Sequence, residues 1–153
     1  MELTILMPCL NEAETIAQCV EKARLGLERC GLPGEILVAD NGSTDGSQAI
    51  AEKSGARVVS VPEKGYGSAL RGGVRAARGR WIIMGDADSS YDFSDLGGFI
   101  KKFQDGDELV MGCRLPIGGG TPLRLDYGVP IVHDPFSSKF GRFQFGFGYQ
   151  RSF

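Results

Sequence analysis

The sequence holds a single histidine, His133, and a single tryptophan, Trp81. A Ser/His/Asp or Cys/His catalytic set would have to rest on His133, which stands in no recognisable motif, and it is assigned no role. No run approaches the ~18 apolar residues of a membrane-spanning helix. The opening MELTILMPCLNEAE lacks the basic start and long apolar middle of a signal peptide, so a cytoplasmic protein is expected. Cys9, Cys19, Cys30 and Cys113 form no CxxC pair and no zinc-like spacing. They read as small buried hydrophobes in a reducing compartment. Basic charge is not in excess: 17 Lys and Arg face 19 Asp and Glu, a net of −2, so nucleic acid is not an expected partner. The first apolar strand is followed by PCLNE, not by a GxGxxG fingerprint, and no GxxxxGK[ST] occurs anywhere. These absences count against nicotinamide enzymes and P-loop NTPases.

Glycine is abundant, at 23 of 153 residues. Together with the Phe-rich stretch from Phe136 to Phe153, its distribution divides the chain into residues 1–114 and a Gly/Pro/Phe-rich tail, 115–153. In the first part, short apolar runs at 3–8, 35–39, 57–61, 80–84 and 108–112 alternate with helical patterns. Ile16, Val20, Ala23 and Leu27 make one apolar stripe that ends at Gly31 and Pro33. Asn11 with Glu14 has the spacing of a capping box for that helix. A second helix stops at Gly55, a small-residue helix spans 68–78, and Ser94 is placed to cap a fourth helix reaching about Phe103. Strands that are apolar without alternation, each followed by a helix, predict an α/β fold with a mostly parallel sheet buried on both faces. In the tail, FGRFQFGFGY suits either an edge strand or a sticky segment without structure.

Ligands of open parallel sheets bind outside the carboxyl ends of the strands. Three polar clusters fall there: Pro8 to Glu12 after the first strand, Asp40 to Asp45 after the second, and Asp86-Ala87-Asp88 after the fourth. Two carboxylates flanking one small residue suit Mg²⁺ or a similar cation beside a diphosphate, since such ions keep few protein ligands and fill the rest with phosphate and water. Asp40 is a candidate acceptor for a base N–H or a ribose hydroxyl. Asp45 has an equal claim as a helix cap, Asn11 reads first as a cap, and Glu12 reads equally as a solvated first-turn acid. Lys64-Gly65-Tyr66-Gly67 precedes a helix and offers close backbone approach and N–H groups to an anion, although Leu70 breaks the GxGxxG pattern. Arg114, after the fifth strand, is a candidate clamp for a diphosphate.

Four segments in order, PCLNE, VADNGSTDGS, KGYGSALRGG and GDADSSYDF, resemble glycosyltransferase family 2 over roughly the first 120 residues. Within it they are similar to polyprenyl-phosphate sugar transferases such as dolichol-phosphate mannose or glucose synthase. The resemblance implies a GT-A fold, a nucleotide-sugar-binding α/β sandwich, and an inverting transfer from a UDP- or GDP-linked sugar to a polyprenyl phosphate. It implies that Pro8, Asn11 and Glu12 contact the nucleotide, and that Asp40 is the base- or ribose-binding acid. It implies further that Asp86, Ala87 and Asp88 form the DxD motif, whose carboxylates hold Mg²⁺ or Mn²⁺ and the diphosphate, and that Arg114 helps hold the phosphates. Asp88 and Arg114 are then the residues closest to catalysis. Ser90 falls where some relatives place a further metal-side ligand. Asn41 stands where many relatives have a second Asp.

The family continues well past the GCRLP segment with an acceptor-side half, and the tail here does not align with it. The fold is accordingly expected to be cut short after the fifth strand, with donor binding better supported than turnover. The alternative is a non-catalytic module that keeps nucleotide-sugar and metal binding. A lipid-phosphate acceptor would bring peripheral contact with the cytoplasmic membrane face.

Overall fold

A computed structural model of the chain describes residues 1–115 and 123–129, with side chains through residue 112. The elements run β1 (Leu3–Cys9), α1 (Ile16–Cys30), β2 (Gly34–Asp40), α2 (Ser47–Lys53), β3 (Arg57–Ser60), α3 (Tyr66–Ala76), β4 (Trp81–Met84), α4 (Gly97–Gln104), β5 (Leu109–Leu115) and β6 (Leu123–Val129). Among the described residues no helix is long and apolar enough to cross a membrane.

β1 to β4 form one parallel sheet in the order β3-β2-β1-β4. All seven residues of β1 are buried, because helices cover both faces of the sheet at its centre. One face carries Leu3, Ile5, Met7, Val38 and Ile83 under α1, α2 and α4. The other carries Leu6, Leu37, Ala39 and Val61 under α3. α3 lies close on that face because Gly73 has no side chain: a Cβ there would stand 2.4 Å from Leu6 Cδ1 and 3.1 Å from Ala39 Cβ.

The expected succession of strands and helices is present through β4. The fifth strand departs from it. β5 pairs antiparallel with β6, Leu109 opposite Val129 through Leu115 opposite Leu123, in a separate two-stranded sheet. β6 arises within residues 115–153, the segment set apart as a Gly/Pro/Phe-rich tail. The signal was there, since Leu123, Leu125, Tyr127 and Val129 alternate with Arg124, Asp126 and Gly128. The FGRFQFGFGY segment and His133 lie outside the described residues.

At the amino edge of the parallel sheet, Glu35 binds the elements together. It accepts from Thr4 Oγ1 at 3.0 Å, from Arg57 Nε at 2.9 Å and from the Arg78 amide at 2.8 Å. Arg57 in turn donates to Ala76 O at 2.7 Å. At the carboxyl edge the strand order matters more. β1 leads to β2 on one side while β4 lies on the other. The loops that leave β1, β2 and β4 therefore lie side by side at this edge, outside the carboxyl ends where ligands of open parallel sheets bind.

Candidate functional site

The loops after β1 and β2 are stitched together at that edge. The Asn11 amide donates to Ser43 Oγ at 2.9 Å, and Asn11 Oδ1 accepts the Thr44 amide at 2.9 Å. The Glu12 amide donates to Ser47 Oγ and the Ala13 amide to Asp45 Oδ2, each at 2.9 Å. This corrects the expected capping box. Asn11 sits in the left-handed region at φ 59°, which Asn tolerates better than most residues, and α1 begins only at Ile16. Its side chain is thereby turned onto the β2 loop. Asp45 makes the contact expected at the start of α2, where Oδ1 accepts the Ser47 amide at 3.0 Å, while Oδ2 ties down the neighbouring loop. Pro8 is buried in β1 opposite Ala39, and Glu12 is half-buried.

Asp40 ends β2 with no exposed surface. Its carboxylate accepts the Gly42 amide at 2.9 Å, the Ser43 amide at 3.2 Å and Gln48 Nε2 at 2.6 Å. Burial pushes its carboxyl up, but the bonds from Ser43, Gly42 and Gln48 outweigh that and hold it below the ordinary carboxylate range. In this conformation Asp40 shapes the loop from within.

Asn41, noted in sequence only as a departure, organises the third loop. Its amide nitrogen donates to Val61 O at 3.0 Å and Glu63 O at 2.7 Å, and its side-chain oxygen accepts the Gly65 amide at 2.8 Å. Its backbone carbonyl accepts Lys64 Nζ at 2.9 Å. Lys64 can reach there because Gly42 is bare: a Cβ at that position would stand 2.2 Å from Nζ. The loop delivers Tyr66, at the first position of α3, to the acidic pair, where its hydroxyl donates to Asp86 Oδ1 at 2.8 Å. Partial burial and the Asp86 carboxylate push the phenol well above its usual range. Sequence reading missed Tyr66; the signal was a hydroxyl inside the Gly-x-Gly of a loop that faces the strand ends.

Asp86, Ala87 and Asp88 follow β4 directly, with the Gly85 amide still donating to Leu6 O of β1 at 3.2 Å. Ala87 is 1% exposed, Asp86 is half-buried and Asp88 is exposed. Asp88 Oδ1 accepts the Ser90 amide at 2.9 Å, and hydrogen bonding from Ser90 outweighs burial to lower its carboxyl. Ser90 is exposed and closes this turn. Among the described residues no group of three or more His, Cys, Asp and Glu side chains is assembled for a metal. The pair of hard oxygen donors at this edge, half-buried Asp86 and exposed Asp88, fits Mg²⁺ or Mn²⁺ when phosphate and water complete the shell. Arg114 lies in β5 opposite Arg124, and its side chain is outside the described residues. Apart from Arg114, the residues singled out from sequence are gathered on the loops of this one edge. Cys9 and Cys19 are buried, Cys30 is half-buried, and all three are free thiols.

The sequence profile of Glycosyl transferase family 2 matches residues 4–147, which carries past Arg114 into the segment set apart as a tail. A hexosyltransferase of low-salt glycan biosynthesis in Haloferax volcanii, Agl6, is 40% identical over 135 residues, or 85% of this chain and 32% of that protein. Mannosyl-3-phosphoglycerate synthase from Rubrobacter xylanophilus superposes with a TM-score of 0.54 and 28% identity over 57% of this chain and 31% of that one. Glucosyl-3-phosphoglycerate synthase from Mycobacterium tuberculosis, in complex with Mn²⁺, UDP-glucose and phosphoglyceric acid, gives 0.50 and 32% identity over 56% of this chain and 33% of that one. The matched region thus spans about a third of each of these proteins.

Proposed function

The chain belongs to glycosyltransferase family 2, and from that membership we propose that it binds a UDP- or GDP-linked sugar at the carboxyl edge of the parallel sheet and transfers the sugar with inversion in a metal-dependent displacement. The observation that carries this reading is the placement of Asp86 and Asp88. They flank buried Ala87 just after β4, the strand that lies beside β1 in the sheet.

In this reading Asp86 and Asp88 hold the divalent ion and, through it, the donor diphosphate. The ion, Mg²⁺ or Mn²⁺, supplies Lewis-acid stabilisation of the departing diphosphate. The Mn²⁺ and UDP-glucose of the mycobacterial neighbour favour a UDP-sugar as the first donor to try. Pro8, Asn11 and Glu12 form the nucleotide-side wall, and Asp40 keeps that wall in shape from beneath. Arg114 is carried as a phosphate clamp on the resemblance of its motif alone.

The acceptor proposed from the same resemblance is a polyprenyl phosphate. Its phosphate oxygen is already anionic near neutral pH, so no strong general base is required of the site. The mycobacterial neighbour contains phosphoglyceric acid, a soluble phosphorylated acid, and that is the competing class. The test incubates the chain with UDP- and GDP-sugars and Mn²⁺, offering polyprenyl phosphate in detergent or 3-phosphoglycerate, and follows the labelled sugar by chromatography. Label in the lipid fraction supports the full reading. Label on phosphoglycerate keeps the donor assignment and replaces the acceptor. Metal-dependent donor binding without transfer to either leaves the non-catalytic donor-binding module, and no donor binding removes the reading altogether.

A further inference from the structure

We propose that Thr15 is a positioning residue for the metal-binding pair, holding Asp86 and Asp88 in register through the carbonyl of the residue between them; this rests on the donor-site reading above.

Thr15 occupies the N-cap position of α1, where a threonine hydroxyl ordinarily accepts an amide of its own helix. Here it makes no such cap. Its Oγ1 instead lies 2.7 Å from Ala87 O, 72 residues away in sequence. A hydroxyl has one proton to donate. The other acceptors near it, Glu12 O at 3.4 Å and Glu12 Oε2 at 3.3 Å, are much longer, so the proton goes to Ala87 O. One turn along α1, Cys19 Sγ reaches the same carbonyl at 3.3 Å. Both lone pairs of a carbonyl that stands at the midpoint of the acidic pair are thus taken by α1.

The geometry gives this contact its consequence. The Ala87 carbonyl belongs to the peptide plane that joins Ala87 to Asp88, and that plane moves as one rigid unit. Fixing its oxygen fixes the direction in which the chain enters Asp88. The exit is fastened to the same helix turn. Ser89 is held in the left-handed region at φ 66°, its hydroxyl lies 3.5 Å from Cys19 Sγ, and it lies 3.3 Å from Gln18 Oε1. Asp88 is exposed, and the contact that orients its carboxylate is the Ser90 amide of the same turn, at 2.9 Å. Its approach to a shared cation is set by the backbone on either side, and α1 holds both sides.

The test titrates Mn²⁺ into the full chain in the presence of UDP, and UDP alone into metal-free chain, for the wild type and for Thr15→Val, Thr15→Ser and Cys19→Ala. Thr15→Val keeps the shape and removes the proton donor. It is expected to raise the Mn²⁺ midpoint about fivefold or more while leaving metal-free UDP affinity within about twofold. Thr15→Ser is expected to restore the wild-type midpoint, and Cys19→Ala to shift it in the same direction by less. The proposal is overturned if the Mn²⁺ midpoint of folded Thr15→Val does not move, if metal-free UDP affinity falls equally, or if serine does not rescue. Should Thr15→Val fail to fold, Cys19→Ala decides in the same way, a raised midpoint supporting the proposal and an unchanged one overturning it. A wild-type chain that binds UDP with no dependence on Mn²⁺ overturns the donor-site reading and this inference together. A metal-dependent wild type with an equally metal-dependent Thr15→Val overturns this inference alone.

Discussion

The Asn41 side-chain oxygen accepts the Gly65 amide at 2.8 Å across 24 residues of sequence, and this bond ties the end of β2 to the loop that carries Tyr66. The Asn41 side-chain nitrogen donates to two carbonyls, Val61 O and Glu63 O. An aspartate in its place would keep the acceptor and lose both donors, leaving a carboxylate against two carbonyl oxygens. Asn41→Asp is expected to cost about 2 kcal/mol, a fall in melting midpoint of roughly 4–8 °C for a chain of this size. An unchanged midpoint in thermal unfolding would show that the amide donors do not matter here.

Glu35 at the opposite edge gives a pH signature. Burial raises its carboxyl, but the bonds from Arg57, the Arg78 amide and Thr4 together bring it below its ordinary 4.5. A carboxyl whose folded pKa lies below its unfolded one stabilises the fold fully above the unfolded value, and that stabilisation fades as pH falls through the folded value. Glu35→Gln is expected to cost about 1–3 kcal/mol at pH 7. The gap to wild type in urea midpoints should narrow progressively below pH 4.5. A gap that stays constant down to acid unfolding would mean that the Glu35 charge contributes nothing.

Close approach of α3 depends on Gly73. A valine side chain there would collide with Leu6 and press on Ala39 Cβ, both fully buried. Gly73→Val is expected to destabilise by about 1–3 kcal/mol, the usual cost of overpacking a core. Gly67, at the start of the same helix, has nothing within 4 Å of a built Cβ, so Gly67→Ala is expected to be neutral or slightly stabilising. Denaturant midpoints of the two variants check the contrast, and equal losses would refute it.

Thiol reactivity reads out the burial of α1. Burial raises the thiol of Cys9, and burial with nearby Asp95 raises that of half-buried Cys30. Cys9 and Cys19 are out of solvent. Iodoacetamide followed by peptide mass spectrometry is expected to label Cys30 well before Cys9 or Cys19. Early labelling of Cys19 would contradict the packing of α1 against Ala87.

Much of this was legible in the sequence because it is local. The apolar runs of β1 and β2, the stripe of α1 and the Asp86-Ala87-Asp88 turn each declare themselves within a few residues. What escaped was settled by contacts between distant loops. Asn11 looked like a cap because Glu14 stands three residues on; Ser43 and Thr44, more than thirty residues away, took its polar groups instead. Asn41 and Tyr66 had no visible partners until β2, α3 and β4 were brought to one edge. The pairing of β5 with β6 was missed for another reason. The alternation over Leu123–Val129 is short and stands among glycines and prolines, and no periodicity says which strand a fifth strand will choose.

The central claim is that Asp86 and Asp88 hold the cation through which the donor diphosphate is bound. It is tested most directly by calorimetric titration of UDP-glucose into wild type and Asp88→Asn, each with and without Mn²⁺. The account predicts that the wild type binds more tightly with Mn²⁺ and that Asp88→Asn, equally well folded, loses that increment while keeping its metal-free affinity. An Asp88→Asn protein that retains the full Mn²⁺-dependent increment would contradict it.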